Sequence, residues 1–285
     1  MLGPRMVVCA SHSPLMASAD GGPRGSRFVE ALGTVASEVA AFDPELVVFF
    51  GPDHVRAFVG VVPSVAVVRS AVGYGDWGTP ATGYDVDRET ADAVAVTLLD
   101  EGFDVTVGDD VRLDHGFGQS WMQLIGDLDA VPIVPIVLNC ARPPLAPLTR
   151  ALGVGRTVGQ HLAQDSRRIL FLGSGGLSHS PPALETDTSH LSEDERRKYN
   201  LDRVRAAAER IDPAWDDRVL RALCDGDLAS LAAMSRDEVL AAGVGANELR
   251  TWIAACAASP VRPRRVAYEP VPSWITGMGL VSGVA

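Results

Sequence analysis

Several short apolar runs, Met6 to Ala10, Leu46 to Phe50, Val65 to Val68, Val131 to Leu138 and Ile169 to Leu172, are rich in β-branched residues and almost free of polar ones. A strand with one wet face alternates apolar and polar side chains, whereas a strand covered on both faces does not. Between these runs the apolar spacing changes to that of a helix. Phe28, Leu32, Val35, Val39 and Phe42 form one such stripe, Ala91, Val94 and Leu98 a second, and Leu148, Leu152 and Leu162 a third. Buried strands alternating with amphipathic helices specify an α/β fold with a mostly parallel sheet.

The last third changes character. Ser192-Glu193-Asp194-Glu195 has the spacing of a capping box and predicts a helix to about Ile211. Ser235-Arg236-Asp237-Glu238 repeats the device, and a further helix is expected from Asn247 to Ala258, ahead of Pro260. No Pro/Gly/Ser-rich linker separates this region from the strands, so residues 1–285 are expected to form one domain with a helical C-terminal layer. Pro181-Pro182 to His190 is polar and without periodicity, which predicts a mobile loop.

Composition excludes several classes. Hydrophobic residues at 47 % and charged residues at 21 % are globular values. The longest nearly apolar stretch, Ala130 to Ala141, is interrupted by two prolines and an asparagine and is shorter than the ~18 residues of a membrane helix. Met6 to Ala10 is too short for a signal-peptide core, so a cytoplasmic protein without a membrane segment is expected. A net charge of −11 opposes phosphate backbones and argues against nucleic acid. Cys9, Cys140, Cys224 and Cys256 are scattered in apolar surroundings without a C-x-x-C pair, as expected of buried thiols rather than a zinc knuckle or redox dithiol.

The histidines carry the chemical signal. His12 follows the first strand in Ser11-His12-Ser13-Pro14, His54 the second in Gly51-Pro52-Asp53-His54, and His179 a later one in the run from Gly173. Open parallel sheets bind ligands outside the carboxyl ends of their strands, so residues at these exits can converge. His115, in Asp114-His115-Gly116-Phe117-Gly118, is expected in a glycine-flanked loop after a strand from Phe103 to Val107. His161, within a helix, and His190 have no such placement and are read as structural.

Imidazoles close to carboxylates suit a divalent first-row metal, iron or zinc. Asp53, Asp114 and Glu248 are the candidate carboxylates, and the first two can equally orient the histidines that follow them. Gly173-Ser174-Gly175-Gly176 lacks the G-x-G-x-x-G spacing of a dinucleotide loop. Neither Ser174 nor Ser120 sits in a G-x-S-x-G elbow.

Five segments, in this order, resemble the class III extradiol ring-cleaving dioxygenases: Ser11-His12-Ser13-Pro14, Phe50-Gly51-Pro52-Asp53-His54, Asp114-His115-Gly116-Phe117, the run from Leu170 to His179, and Asn247-Glu248-Leu249-Arg250-Thr251-Trp252. The resemblance extends from about Met6 to Ile275 and implies a three-layer α/β/α sandwich. It implies Fe(II) bound by His12, His54 and Glu248, with His115 and His179 as the catalytic acid–base pair. The implied substrates are O2 and a catechol, here one with a propionate-like side chain; a different catechol, or a non-catalytic binding protein of the same fold, is the alternative. The relatives are oligomeric, and enzymes of this size commonly form symmetric homo-oligomers. Arginine is the expected partner for a substrate carboxylate, but none of the 24 arginines is marked by a motif. The segment from Tyr268 to Ile275 can serve packing or pocket lining equally.

Overall fold

The structure, a computed structural model, describes residues 3–17, 25–186 and 190–285. Its strands are β1 (Arg5–Ala10), β2 (Leu46–Pro52), β3 (Val65–Val68), β4 (Ala71–Gly73), β5 (Thr106–Gly108), β6 (Val111–Leu113), β7 (Ile133–Leu138), β8 (Ile169–Ser174), β9 (Arg264–Val271) and β10 (Thr276–Val284). Its helices are α1 (Ser26–Phe42), α2 (Arg88–Asp100), α3 (His115–Leu124), α4 (Leu148–His161), α5 (Pro182–Glu185), α6 (Glu193–Ala208), α7 (Pro213–Asp225), α8 (Leu228–Ala232), α9 (Arg236–Ala241) and α10 (Leu249–Ala258).

Eight strands form one sheet in the order β5-β3-β7-β2-β8-β1-β10-β9. The centre, β7-β2-β8-β1, is parallel. Towards the ends, β3 is antiparallel to β7, and β10 is antiparallel to both β1 and β9. The central strands are buried along their whole length, as their unbroken apolar runs require.

Successive side chains point to opposite faces, and two cores follow. Val7, Cys9, Val48 and Phe50 face α2, α4 and α7 to α10, while Met6, Val8, Val47 and Phe49 face α1 and α3. Helices on both faces of one sheet make the expected three layers, with most of the C-terminal helices on the first face. Both capping boxes are present, at Ser192 and Ser235.

Three expectations need correction. The last third is not helical to its end, because β9 and β10 return the chain to the sheet beside β1. The strand expected at Phe103 to Val107 is only Thr106–Gly108. His115 follows β6, in a two-stranded ribbon with β4, and opens helix α3 rather than lying in a loop. The polar stretch after Pro181 contains the one-turn helix α5, and residues 187–189 of that expected mobile loop lie outside the described residues. No helix among the described residues is long and apolar enough to cross a membrane.

Candidate active site and metal centre

Parallel pairing brings the strand exits together. Gly173 of β8 lies opposite Phe50 of β2 on one side and Cys9 of β1 on the other. His12 and His54, each two residues beyond its strand, therefore flank the loop after β8. Asp114 caps α3 by accepting from the Gly116 N–H at 2.8 Å, which sets His115 at the head of that helix. Phe117 of α3 packs on Phe49 of β2 with ring centroids 4.6 Å apart, holding the helix against the sheet. Glu248 ends a 3-10 turn, Val244–Glu248, and leads into α10.

The four histidines and Glu248 meet at one point. One ring nitrogen from each of His12, His54 and His115 lies within 4.8 Å of the other two, a group that could hold a metal ion. The rings of His54 and His115 stack at 4.4 Å. Glu248 Oε1 lies 3.0 Å from His54 Nε2 and 3.7 Å from His179 Nε2, and Glu248 Oε2 accepts the Gly176 N–H at 2.6 Å.

Each imidazole is oriented through its Nδ1. Ser174 donates its only hydroxyl hydrogen to the Gly116 carbonyl, so it accepts from His12 Nδ1 at 2.9 Å. His54 Nδ1 donates to Asp114 Oδ2 at 3.1 Å, His115 Nδ1 to Asp76 Oδ2 at 2.7 Å, and His179 Nδ1 to the Leu177 carbonyl at 2.8 Å. In its neutral form each ring therefore keeps its lone pair on Nε2, the arrangement that partners behind metal-binding histidines impose.

Burial and charge set the protonation of this cluster. Burial pushes His12 down to about 3, with the neighbouring His54 and His115 adding to the effect against the pull of Glu248. Burial opposes the charged form of His54 as well, but Asp114 and Glu248 outweigh it and hold the ring well above its ordinary value. The carboxyls of Asp114 and Glu248 are buried yet lie below the usual carboxylate range, because histidine charges and hydrogen bonds overcome desolvation.

Two glycines are required by close approach. A Cβ on Gly175 would sit 2.6 Å from Glu248 Cβ, and one on Gly245 would sit 2.2 Å from His179 Nε2. The glycine run after β8 thus admits a carboxylate of the protein itself rather than a phosphate.

The donor set fits a metal. It offers imidazole nitrogens and a carboxylate oxygen, the ligands of divalent first-row ions. Two ligand atoms about 2.1 Å from one ion and at right angles are about 3 Å apart, the separation seen between His54 Nε2 and Glu248 Oε1. Asp53 takes no part: its carboxylate accepts the backbone N–H groups of Arg56, Ala57 and Phe58 and shapes the turn after His54. His161 bonds Thr97 on the α2–α4 side and His190 is exposed, so neither joins the cluster. The four cysteines are free thiols.

A pocket of about 230 Å3 opens over the cluster, lined by His12, His54, His115 and His179 and by apolar residues including Leu15, Pro143, Leu184 and Ile275. It is smaller than the ~300–1,000 Å3 of drug-sized sites and suits a single-ring molecule. Ile275 settles one open expectation in favour of lining, while Tyr268 packs away from the pocket and donates to Asp216. Sequence reasoning missed Asp76, Trp77 and Arg56. Trp77 lines the pocket in a left-handed conformation (φ 50°) between Gly75 and Gly78. The available signal was a buried acid and an aromatic residue between two glycines in a loop.

Residues 6–279 match the family described as the catalytic LigB subunit of aromatic ring-opening dioxygenase. The chain is 37 % identical to a Rhodococcus protein named 2,3-dihydroxyphenylpropionate/2,3-dihydroxicinnamic acid 1,2-dioxygenase, covering 98 % of each chain. Proteins of the same name from Klebsiella pneumoniae (36 %, 96 % of each chain) and Photorhabdus laumondii (34 %, 97 % of this chain and 96 % of that one) are similar to it as well. An uncharacterized Escherichia coli K12 protein of known structure shares the fold, with a TM-score of 0.54 at 15 % identity over 97 % of this chain and 98 % of that one. With a family match over almost its whole length and its donor set around one pocket, the chain belongs to the LigB family and is a metal-dependent extradiol dioxygenase, opening catechol rings with O2 in aromatic catabolism.

Proposed function

We propose that the chain cleaves 2,3-dihydroxyphenylpropionate, or a closely related catechol with a carboxylate-bearing side chain, using Fe(II) held by His12, His54 and Glu248. The observation that carries this reading is the convergence of four Nδ1-anchored imidazoles and the buried Glu248 on a pocket of single-ring size. Two histidines and one carboxylate leave ligand positions open for substrate. The bound ion supplies the electron path that lets O2 react with a closed-shell ring and holds the two reactants together.

The remaining side chains move protons. His179, with Nδ1–H fixed on the Leu177 carbonyl, presents a basic Nε2 that takes a proton from a catechol hydroxyl. His115, in its protonated form with Nδ1–H held by Asp76, gives its Nε2 proton to the oxygen that departs as the O–O bond breaks. Both oxygen atoms end in the ring-opened product. The three clustered histidines favour a second reading, in which His115 is itself a ligand; iron retention in a His115→Gln variant separates the two.

Residues 1–285 act as one catalytic unit in the cytoplasm and associate as a symmetric homo-oligomer. Anaerobic loading with Fe(II), then oxygen uptake against a catechol panel, tests the activity. Stoichiometric uptake with a ring-opened product is expected for 2,3-dihydroxyphenylpropionate, and no uptake across the panel would refute the reading.

A further inference from the structure

Among the described residues three arginines line the pocket, Arg56, Arg142 and Arg196, and their surroundings differ. Arg56 lies between two carboxylates, with Asp76 Oδ2 3.6 Å from Nε and Glu193 Oε2 2.8 Å from Nη2. Its charge is balanced by the protein. Arg142 donates to the Val59 carbonyl, and its backbone N–H is held by Asn139. Arg196 forms no ion pair among the described residues. Its Nη2 donates to the Leu191 carbonyl at 3.3 Å, and its buried Nε has no acceptor among the described residues. Buried donors almost always find partners, and a partly buried charge without a counter-charge is costly. In a chain with a net charge of −11, a cation facing the catalytic pocket without a carboxylate beside it among the described residues stands apart.

The helix that carries Arg196 is held in place on either side of it. Residues three and four apart share a helix face, so Glu193, Arg196 and Arg197 of α6 point the same way. Glu193 pairs with Arg56, and the Arg197 guanidinium lies 5.5 Å over the ring of Trp77, both pocket-lining partners. Arg196 is therefore presented to the pocket from a braced helical turn, with planar N–H groups suited to a carboxylate.

We infer that Arg196 binds the carboxylate at the end of the substrate side chain and so sets the preference for acidic catechols. This assignment rests on the proposed substrate class, and its test includes an arm that needs no turnover. Binding of 3-phenylpropionate to the iron-loaded protein without O2 is measured by calorimetry beside the uncharged 3-phenylpropanol. In parallel, kcat/KM is compared for 2,3-dihydroxyphenylpropionate and 3-propylcatechol.

In Arg196→Met, affinity for 3-phenylpropionate and kcat/KM for the acidic catechol fall about 10- to 100-fold, the worth of a hydrogen-bonded charge. Values for the two uncharged compounds stay unchanged. Arg196→Lys recovers part of the loss. Lys198→Met, which removes an exposed charge from the same helix, changes nothing. Equal losses for charged and uncharged compounds, an equal loss in Lys198→Met, no loss in Arg196→Met, or a wild-type protein that does not prefer 3-phenylpropionate would each overturn the assignment. A wild-type protein that binds 3-phenylpropionate through Arg196 yet cleaves neither catechol would refute the ring-cleavage reading and leave the anion site standing.

Discussion

Each pocket histidine hands its Nδ1 hydrogen to a different fixed acceptor, and these acceptors come from three separate parts of the chain: Ser174, Asp114, Asp76 and the Leu177 carbonyl. Outer partners of this kind fix tautomer and ring angle, and losing one typically costs 10- to 100-fold in metal affinity or activity. Ser174→Ala removes the acceptor behind His12, so iron affinity should fall by roughly that factor, read by anaerobic titration; unchanged affinity would show that His12 needs no such anchor. Asp76→Asn should lower turnover by roughly 10- to 100-fold while iron content stays at the wild-type level, read by oxygen uptake beside metal analysis. The histidines were legible in the sequence because each follows a recognisable strand or glycine motif. Asp76 and Arg196 were not, since their roles depend on what faces them across the pocket and neither lies on a periodic stripe.

At the scale of elements, the sheet positions the chemistry and the C-terminal helices brace it. Asp216 of α7 is fully buried and accepts from the Ser178 N–H at 2.7 Å, the Ser178 hydroxyl at 2.8 Å and the Tyr268 hydroxyl at 2.6 Å. It thereby ties α7 and β9 to the residue before His179. Burial raises its carboxyl above the ordinary range, against the hydrogen bonds from Tyr268 and Ser178. The folded state then binds this proton more tightly than the unfolded chain, so the contribution of Asp216 to stability falls as pH rises from about 4, the ordinary carboxylate value, through the raised folded value. Asp216→Asn should remove that slope, which urea unfolding across this pH range measures; an identical slope in the variant would show that Asp216 is not its source.

The strands β1, β2, β3, β7 and β8 were legible as continuous apolar runs. In contrast, β10 (Thr276–Val284) carries Gly277, Gly279 and Gly283, and glycine is depleted in strands. Only its pairing with β1 and β9 makes it a strand. Its partner β9 is an edge strand with exposed arginines at its start and Pro270 near its end, so it too lacks the signature of a buried strand.

Across the whole molecule, four of the six histidines and, among the described residues, three of the 24 arginines line one pocket of an acidic chain, in keeping with the proposed anionic aromatic substrate. Symmetric association predicts a particle heavier than one 285-residue chain in light scattering, and a monomer at all working concentrations would refute it. The central claim is the division of labour at the metal, with His12, His54 and Glu248 holding it and His115 moving a proton. Iron content per chain, measured after anaerobic loading of folded Glu248→Ala and His115→Gln variants, tests that division most directly. Glu248→Ala should lose its iron, whereas His115→Gln should keep about one iron per chain and lose roughly 100- to 10,000-fold in turnover. Iron retained without Glu248 and lost without His115 would contradict it.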